Sequence, residues 1–295
     1  MERCVKVLVT GSAGFLGRHF CNDLREAGHE VLGIDVRSAS PCDARDLFDA
    51  PDEFTFDLVL HCAAVVNGRE TIERRPMDQV IDLELDAGLF RWALDNTIGR
   101  VVYFSSSAAY PISLQQEPYR LREDDIELAQ PEMPDALYGW TKLTGELLVH
   151  HARRAGQAVT VVRPFSGYDT DQDDCYPFPA IIERARNHDD PFVVWGPGTQ
   201  VRDFIHVDDI VGATMALVEA EVDGPVNIGN GRPTSMLTLA AMASHAARHK
   251  AEITPMVDQP TGVQYRVADP TLMYEYYEPT VSLEDGIERA LRGSS

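Results

Sequence analysis

The chain has 295 residues, of which 44% are hydrophobic and 25% charged, a composition typical of a folded protein rather than a disordered one. Its 47 acidic residues outnumber the 26 basic ones and give a formal charge of -21, which disfavours nucleic acid or an anionic membrane as a partner. The five cysteines form no C-x-x-C pair, and no apolar stretch is long enough to span a membrane. We therefore expect a soluble cytoplasmic protein that has neither disulfides nor a metal site.

Apolar runs typical of strands alternate with helix-period stretches in the first part of the chain. Strands are predicted at 5–10, 30–35, 58–63, 100–105 and 158–163, and helices at 15–26, 77–96 and 138–155. This alternation predicts an α/β fold in which helices cover both faces of a doubly wound parallel sheet. From residue 164 the pattern breaks into loops rich in Pro, Gly and Asp, with short strands at 192–195 and 225–228. We predict one domain over 1–163 and a smaller C-terminal lobe over 164–295, with some segments of the lobe returning to the first domain.

A glycine-rich turn, TGSAGFLG, joins the first strand to the first helix at residues 10–17. Gly11 permits a tight turn, Gly14 lets the backbone approach a pyrophosphate, and the helix N-terminus favours negative charge. This arrangement indicates a Rossmann-type dinucleotide site, since ligands of such sheets bind beyond the carboxyl ends of the strands. The predicted binding residues of the turn are Gly11, Ala13, Gly14, Phe15 and Leu16.

Asp35 closes the second strand, 18 residues after Gly17. A carboxylate at this position can accept hydrogen bonds from both ribose hydroxyls, and it would repel a 2′-phosphate. NAD is therefore favoured over NADP as the cofactor. Arg37 lies two residues further on and could soften that preference, so NADP stays open as an alternative.

Several further motifs resemble the extended short-chain dehydrogenase/reductase family of nucleotide-sugar epimerases and dehydratases, and the resemblance spans nearly the whole chain. In chain order they are HCAA at 61–64, SSS at 105–107 before Tyr110, YGWTK at 138–142, RPF at 163–165 and RDFIHVDD at 202–209. The resemblance implies an NAD-binding Rossmann domain, a substrate-binding C-terminal lobe and a homodimer formed by the helices at 77–96 and 138–155. It also implies that Ala63 and Ala64 contact the cofactor.

The resemblance places Asp43, followed by Ala44, at the adenine of the cofactor. Only eight residues separate Asp35 from Asp43, whereas a parallel crossover that carries a helix needs about a dozen. We therefore expect the second helix of the family to be missing and the adenine side to be more open.

Tyr138 and Lys142 stand four residues apart in a predicted helix, which places them on one face. A tyrosine with a reference pKa of about 10 must lose its proton near neutrality to act as a base, and a nearby ammonium favours that loss. Lysine is scarce here, since Lys6, Lys142 and Lys250 are the only lysines among 26 basic residues. We predict Tyr138 as the catalytic base and Lys142 as its electrostatic support, with both also contacting the cofactor.

Serines end the strand that precedes this helix. The register of the family selects Ser106 as the hydroxyl that binds the reacting sugar oxygen beside Tyr138, with Ser105 as the competing neighbour. Ser106 and Ser107 are both predicted to contact the substrate. Dehydratases and decarboxylases of the family place Glu two residues before Tyr110, and 3,5-epimerases place Cys there, because their chemistry needs another acid or base. This chain has Ala108 there, preceded by Ser107.

The family's phosphate-binding arginines correspond to Arg202 and Arg266 here, and a guanidinium suits a diphosphate. After Arg163-Pro164-Phe165 the family usually has Asn, which contacts the substrate, whereas this chain has Ser166. We expect Asp203, His206 and Asp208 to hold the lobe together rather than to act in catalysis.

With only a tyrosine to move protons, the sequence favours an NAD-dependent nucleotide-sugar 4-epimerase, with a UDP-hexose as the expected substrate and a transient 4-keto intermediate. Two alternatives remain. The same residues could serve a nucleotide-sugar dehydrogenase or 4-keto reductase with net redox chemistry, or the chain could bind NAD as a non-catalytic sensor.

Overall fold

The computed structural model describes residues 4–66 and 68–293. Up to residue 164, the strands are β1 (Lys6–Thr10), β2 (Glu30–Ile34), β3 (Thr55–His61), β4 (Thr97–Phe104) and β5 (Val159–Pro164). The helices are α1 (Phe15–Glu26), α2 (Ala44–Phe48), α3 (Arg69–Arg74), α4 (Ile81–Asp95) and α5 (Ala136–Arg154). Short 3-10 helices lie at Pro76–Val80, Ser107–Ala109, Ile112–Leu114 and Glu123–Asp125.

The remaining elements are shorter. The strands are β6 (Ser166–Tyr168), β7 (Phe192–Trp195), β8 (Val201–His206), β9 (Val226–Ile228), β10 (Pro233–Ser235), β11 (Ile253–Met256) and β12 (Tyr265–Arg266). The helices are α6 (Pro177–Asn187), α7 (Val207–Glu219), α8 (Met236–Ala246) and α9 (Leu283–Arg292), and a 3-10 helix lies at Met273–Glu275. Within the described ranges, no helix is long and apolar enough to cross a membrane.

A six-stranded parallel sheet forms the centre of the molecule, in the order β2-β1-β3-β4-β5-β9. One face packs against α1 and α7 through residues such as Phe20 and Leu217, and the other packs against α2, α4 and α5. The strands of this sheet consist largely of buried Val and Leu residues, because helices cover both faces of the sheet. The structure confirms the doubly wound, Rossmann-type α/β fold.

A second hydrophobic core lies beyond the carboxyl ends of these strands. It joins α6, α8 and α9 to β7 and β8 and contains the buried side chains of Phe178, Phe192 and Leu239. Two smaller sheets accompany it: β10-β8-β12, with β6 also paired to β8, and β11-β7. Strand β9 and helix α7 follow residue 164 in the chain, yet they pack within the central sheet layer.

The connection from β2 to β3 is short. No helix lies between Asp35 and Asp43, as the spacing predicts, and a five-residue helix, α2, follows at once. Asp43 begins α2, and its side chain accepts a hydrogen bond from the backbone N–H of Arg45 at 2.9 Å. The predicted helix at 77–96 is divided into the 3-10 helix at Pro76–Val80 and α4. Pro76 supplies the first residue of that 3-10 turn, where a missing N–H is tolerated.

Candidate active site

The glycine-rich turn brings the backbone of β1 close to the segment after β3. Gly11 has φ +68°, and a Cβ atom on it would lie 2.6 Å from the backbone nitrogen of Ala63. A Cβ atom on Gly17 would clash with the carbonyl oxygen of Gly11, so α1 can pack this closely only with glycine there. Gly14 caps the N-terminus of α1 with no side-chain hydrogen bond. The turn therefore presents an uncapped helix N-terminus, which suits a phosphate.

Asp35 lies buried at the end of β2, directly beside this turn. Its Oδ2 accepts a hydrogen bond from the backbone N–H of Ala13 at 3.0 Å, and its Oδ1 accepts one from that of Arg37 at 2.7 Å. A carboxylate offers about four lone-pair positions, so Asp35 can accept from two ribose hydroxyls once its 3.5 Å bond from Arg37 Nε is released. The Nε atom of Arg37 lies 3.5 Å from Oδ1, while its side chain is 67% exposed. Arg37 therefore reaches the same space as Asp35.

A single cavity of about 980 Å³ runs from the glycine turn to the C-terminal lobe. It brings together nearly all the residues that the sequence predicts for the site. The cavity-lining members of that set are Gly11, Ala13, Gly14, Phe15, Leu16, Asp35, Arg37, Asp43, Ala44, Ala63, Ala64, Ser106, Tyr138, Lys142, Ser166, Arg202 and Arg266. Ser107 is the exception, because it is buried and does not line the cavity. Its predicted contact with the substrate thus finds no support in this geometry.

Tyr138 and Lys142 project from the first turns of α5 toward the end of β4, where a hydrogen bond joins Tyr138 to Ser106. Burial raises the pKa of Tyr138 above its ordinary value, and the Lys142 ammonium and the Ser106 hydrogen bond act in the opposite direction. Ser105 turns away, because its hydroxyl donates to Glu146 at 2.5 Å. Of the three serines, Ser106 is the one placed to act with Tyr138.

Arginines line the C-terminal end of the cavity. The Arg202 guanidinium donates to the backbone carbonyls of Val201, Thr261 and Val263. Burial, followed by the charge of Arg266, lowers the pKa of Arg202 to about 9, which still leaves it charged at neutral pH. Arg266 donates to the Asp135 carboxylate at 2.6 Å. Its guanidinium is thereby held in place at the cavity wall.

Sequence reasoning missed a third arginine in this cluster. Arg69, on α3, donates to both oxygens of Asp135 at 2.9 Å and lines the same cavity. Burial raises the pKa of Asp135, but Arg266 and Arg69 outweigh that effect and hold the pKa below its ordinary value. One carboxylate thus joins Arg69 to Arg266. No spacing rule connects positions 69, 135 and 266, which explains the omission.

Asp43, predicted to lie near adenine, and Asp203, predicted to hold the lobe together, both bind groups of the protein itself. Asp43 pairs with Arg45 at 2.7 Å, so its predicted contact with adenine stays a prediction. Asp203 accepts hydrogen bonds from the backbone N–H groups of Asn230, Gly231, Arg232 and Ala268, which joins the loop after β9 to the segment after β12. Such contacts agree with the structural role expected for Asp203.

An acidic loop, residues 168–176, crosses the mouth of the cavity. Asp171 pairs with Arg18 at 2.5 Å and with His19 at 3.1 Å, which fastens the loop to α1. Asp169 lies 3.6 Å from His206. His19, Asp169 and Asp171 could together contact a metal ion, but the Arg18 guanidinium already neutralises Asp171. Asp169 and Asp171 therefore attach this loop to α1 and to the end of β8.

Residues 7–229 match the NAD dependent epimerase/dehydratase family, which covers most of the chain and both ends of the cavity. The chain belongs to this family. It is therefore an NAD-dependent enzyme, and the glycine turn, the uncapped N-terminus of α1 and the spare lone pairs of Asp35 fit that cofactor. Tyr138, Ser106 and Lys142 line one cavity with the glycine turn and Asp35.

Relatives of this family member include both reductases and epimerases. A dTDP-4-dehydro-6-deoxy-D-allose reductase from a Streptomyces species is 29% identical, over 97% of this chain and 95% of the relative. A putative UDP-glucose 4-epimerase from Methanocaldococcus jannaschii is 27% identical, over 97% of both chains. The solved structure of the UDP-glucuronic acid 4-epimerase from Bacillus cereus, in complex with UDP-glucuronic acid and NAD, superposes with a TM-score of 0.80, 26% identity and 96% coverage of each chain.

Proposed function

We propose that the protein is a nucleotide-sugar 4-epimerase that uses NAD and acts on a UDP-hexose. The observation that carries this proposal is the composition of the cavity wall around Tyr138. The position that is acidic in the family's dehydratases is Ala108, which lines the cavity beside Ser106. Burial raises the pKa of the nearby Cys62 thiol, so Cys62 stays protonated. Tyr138 is thus the group placed to move a proton, and 4-epimerisation needs no other.

The chain's own residues account for binding and proton transfer. The glycine turn and Asp35 would hold the cofactor, and Lys142 would reach its nicotinamide ribose. Bound NAD supplies a hydride acceptor that later returns the hydride to the sugar carbon. Tyr138, as phenolate, accepts the proton of the 4-hydroxyl while Ser106 donates a hydrogen bond to the same oxygen. Tyr138 then returns that proton once the 4-keto carbon has been reduced on its opposite face, so no net proton or electron is consumed.

The substrate class follows from the cationic end of the cavity. Arg202 and Arg266 would bind the diphosphate, with Ser166 contacting the sugar between them and Tyr138. The related 4-epimerases from Methanocaldococcus jannaschii and Bacillus cereus carry UDP-sugars in their names, which supports a uridine nucleotide here. We propose that residues 1–163 mainly bind the cofactor and that 164–295 mainly bind the substrate.

A 4-keto reductase is the second candidate, and the Streptomyces reductase at 29% identity is the observation that favours it. It would use the same residues but exchange its dinucleotide with solvent at every turnover. A sensor without catalysis is less well supported, because both Tyr138 and Lys142 are present and face the cavity.

One experiment separates these candidates. The purified protein is first assayed for bound NAD and then incubated with UDP-, GDP-, dTDP- and CDP-sugars, with no cofactor added, while NMR follows the anomeric signals. A 4-epimerase converts one of these sugars to its 4-epimer without net change in the dinucleotide. Stoichiometric consumption of NADH with a 4-keto sugar would instead establish the reductase.

We also propose a cytoplasmic homodimer. All five cysteines are free thiols, which supports a reducing compartment. The proposed interface consists of α4 and α5, which pack side by side. On these helices Leu94 and Leu147 are exposed, whereas Leu143 belongs to the core. Apolar side chains at such positions support a contact with a second copy of the chain.

A further inference from the structure

Two buried carboxylates lie behind the catalytic lysine. Asp82 and Asp86 stand one turn apart on α4, and each is only 1% exposed. Burying a carboxylate is unfavourable unless it is paired or hydrogen-bonded. Two such groups on one helix face therefore require an explanation that the proposed reaction does not yet give.

Asp86 has a hydrogen bond on one carboxylate oxygen and a histidine ring beside the other. The Tyr103 hydroxyl donates to its Oδ2 at 2.6 Å, and His61 Nε2 lies 3.4 Å from its Oδ1. The other ring nitrogen of His61 lies 2.9 Å from the Thr10 hydroxyl, whose oxygen accepts from the backbone N–H of Ala63. The hydrogen-bonded group of His61, Thr10 and Ala63 therefore lies next to Asp86, while the Oδ1 atom of Asp86 itself makes no hydrogen bond.

Only one of the two carboxylate oxygens of Asp82 accepts a hydrogen bond. Its Oδ1 accepts from the backbone N–H of Val65 at 2.6 Å, while its buried Oδ2 makes no hydrogen bond. The positive charge that attracts both carboxylates is Lys142, itself 4% exposed. The Lys142 ammonium lies over the ring of Tyr103, 5.5 Å from its centroid, and so beside the residue that binds Asp86. The charge of one ammonium therefore attracts two buried carboxylates and also favours the phenolate of Tyr138, without a direct ion pair to either carboxylate.

Other polar groups around this pair come from several elements. The charged or titratable groups that face Tyr138 or Lys142 are Asp82 and Asp86 of α4, His61 of β3, Cys62 after it, Tyr103 of β4, Arg266 of β12 and Tyr176 before α6. Arg266 is the second cation of this group, and Asp135 already pairs with it. The carboxylates that offset the charge of Lys142 thus come from α4.

We propose that Asp82, supported by Asp86, is a positioning residue of the proton-transfer pair, whose buried negative charge offsets that of the Lys142 ammonium behind Tyr138. This inference rests on the proposed role of Tyr138 as the base. The charge of Lys142 is then insufficient to ionise Tyr138. Burial keeps the pKa of the phenol above its ordinary value, and Asp82 is among the charged groups that raise it further. Replacing the carboxylate by an amide should therefore make the phenolate form more easily.

The test is a titration of tyrosinate absorbance in the full-length protein, with and without saturating NAD. Subtracting the curve of the matching Tyr138→Phe protein isolates the ionisation of Tyr138. In Asp82→Asn the amide oxygen can still accept from Val65, so the fold is retained while a negative charge is lost. We expect the midpoint of Tyr138 to fall by about one pH unit. Asp95→Asn, at the exposed end of the same helix, should leave the midpoint unchanged.

An unchanged or higher midpoint in Asp82→Asn overturns the inference. Should that variant fail to give a native circular dichroism spectrum, Asp86→Asn carries the same expectation with the same sign. The titration needs no substrate, so it separates this inference from the proposed function: absence of epimerisation with a lowered midpoint refutes only the latter. In an active protein, the acidic limb of kcat/KM should move to lower pH by the same amount.

Discussion

Tyr138 is surrounded by groups with opposing effects on its proton. Burial disfavours the phenolate, whereas Lys142 and Ser106 favour it. Tyr138→Phe removes only the hydroxyl, so turnover should fall by at least about 10²- to 10⁴-fold, the usual contribution of a general base. Binding of NAD, followed by the quenching of tryptophan fluorescence, should stay within a few-fold of the wild type. Substantial turnover in Tyr138→Phe would show that another group is the base.

Asp35 is the residue expected to decide between the two dinucleotides. Its carboxylate is fixed by Ala13 and Arg37, with lone pairs left for the ribose hydroxyls. Asp35→Ala should weaken NAD by about tenfold or more, since two charge-assisted hydrogen bonds are lost. NADP should be weakened less or should bind better, because the repulsion disappears while Arg37 remains. Calorimetric dissociation constants for both dinucleotides check this, and an unchanged NAD/NADP ratio would contradict the role assigned to Asp35.

Individual site residues can be predicted from the sequence where their function requires a fixed spacing along the chain. Gly11, Gly14 and Asp35, or Tyr138 and Lys142, are recognisable because a turn, a strand end or a helix face brings them together within a short stretch. Arg69 and Asp135 are not, since their proximity depends on how α3 packs against α5. Asp82 and Asp86 are visible in the sequence as acids of an amphipathic helix, but only the structure shows that they face inward.

Among the secondary-structure elements, β5 and α5 are joined by a buried ion pair. Arg163 donates to Glu146 at 2.7 Å and also to the Tyr110 hydroxyl at 2.9 Å, and its side chain is only 2% exposed. Arg163→Ala leaves a buried carboxylate without its partner, which should lower the free energy of unfolding by about 3–5 kcal/mol. Urea denaturation measures this loss. Arg154→Ala, at the exposed end of α5, is the control and should change stability by less than about 0.5 kcal/mol.

Element boundaries follow from the sequence when a strong local signal sets them. Helix α1 occupies the predicted 15–26, because Gly14 and the apolar spacing define both its start and its inner face. Helix α5 begins two residues before the predicted 138, at Ala136, after Asp135, whose side chain binds Arg69 and Arg266 and makes no capping hydrogen bond. Strand β3 begins three residues before the predicted 58, since its first residues pair with β4 and that pairing is a tertiary contact.

In the whole molecule, the proposed dimer can be tested at its exposed apolar positions. Leu147→Asp places a charge in the middle of the proposed α4–α5 contact and should convert the dimer to a monomer at micromolar concentration. Light scattering coupled to size exclusion reports the mass directly. Met133→Asp changes a still more exposed apolar residue outside these helices and should leave the mass unchanged. A wild-type protein that is already monomeric refutes the proposed dimer.

Strand β9 lies at one edge of the central sheet and is the last of its six strands to be synthesised. It pairs with β5 from Val226 to Ile228, about 60 residues after β5 leaves the ribosome. During that interval the buried, Val-rich strand β5 is an edge with unpaired backbone groups, and such edges favour association between chains. A nascent chain therefore cannot complete its central sheet until about half of the residues that follow β5 have been synthesised. Chaperones that bind the growing chain should act in this window of synthesis, before residue 228.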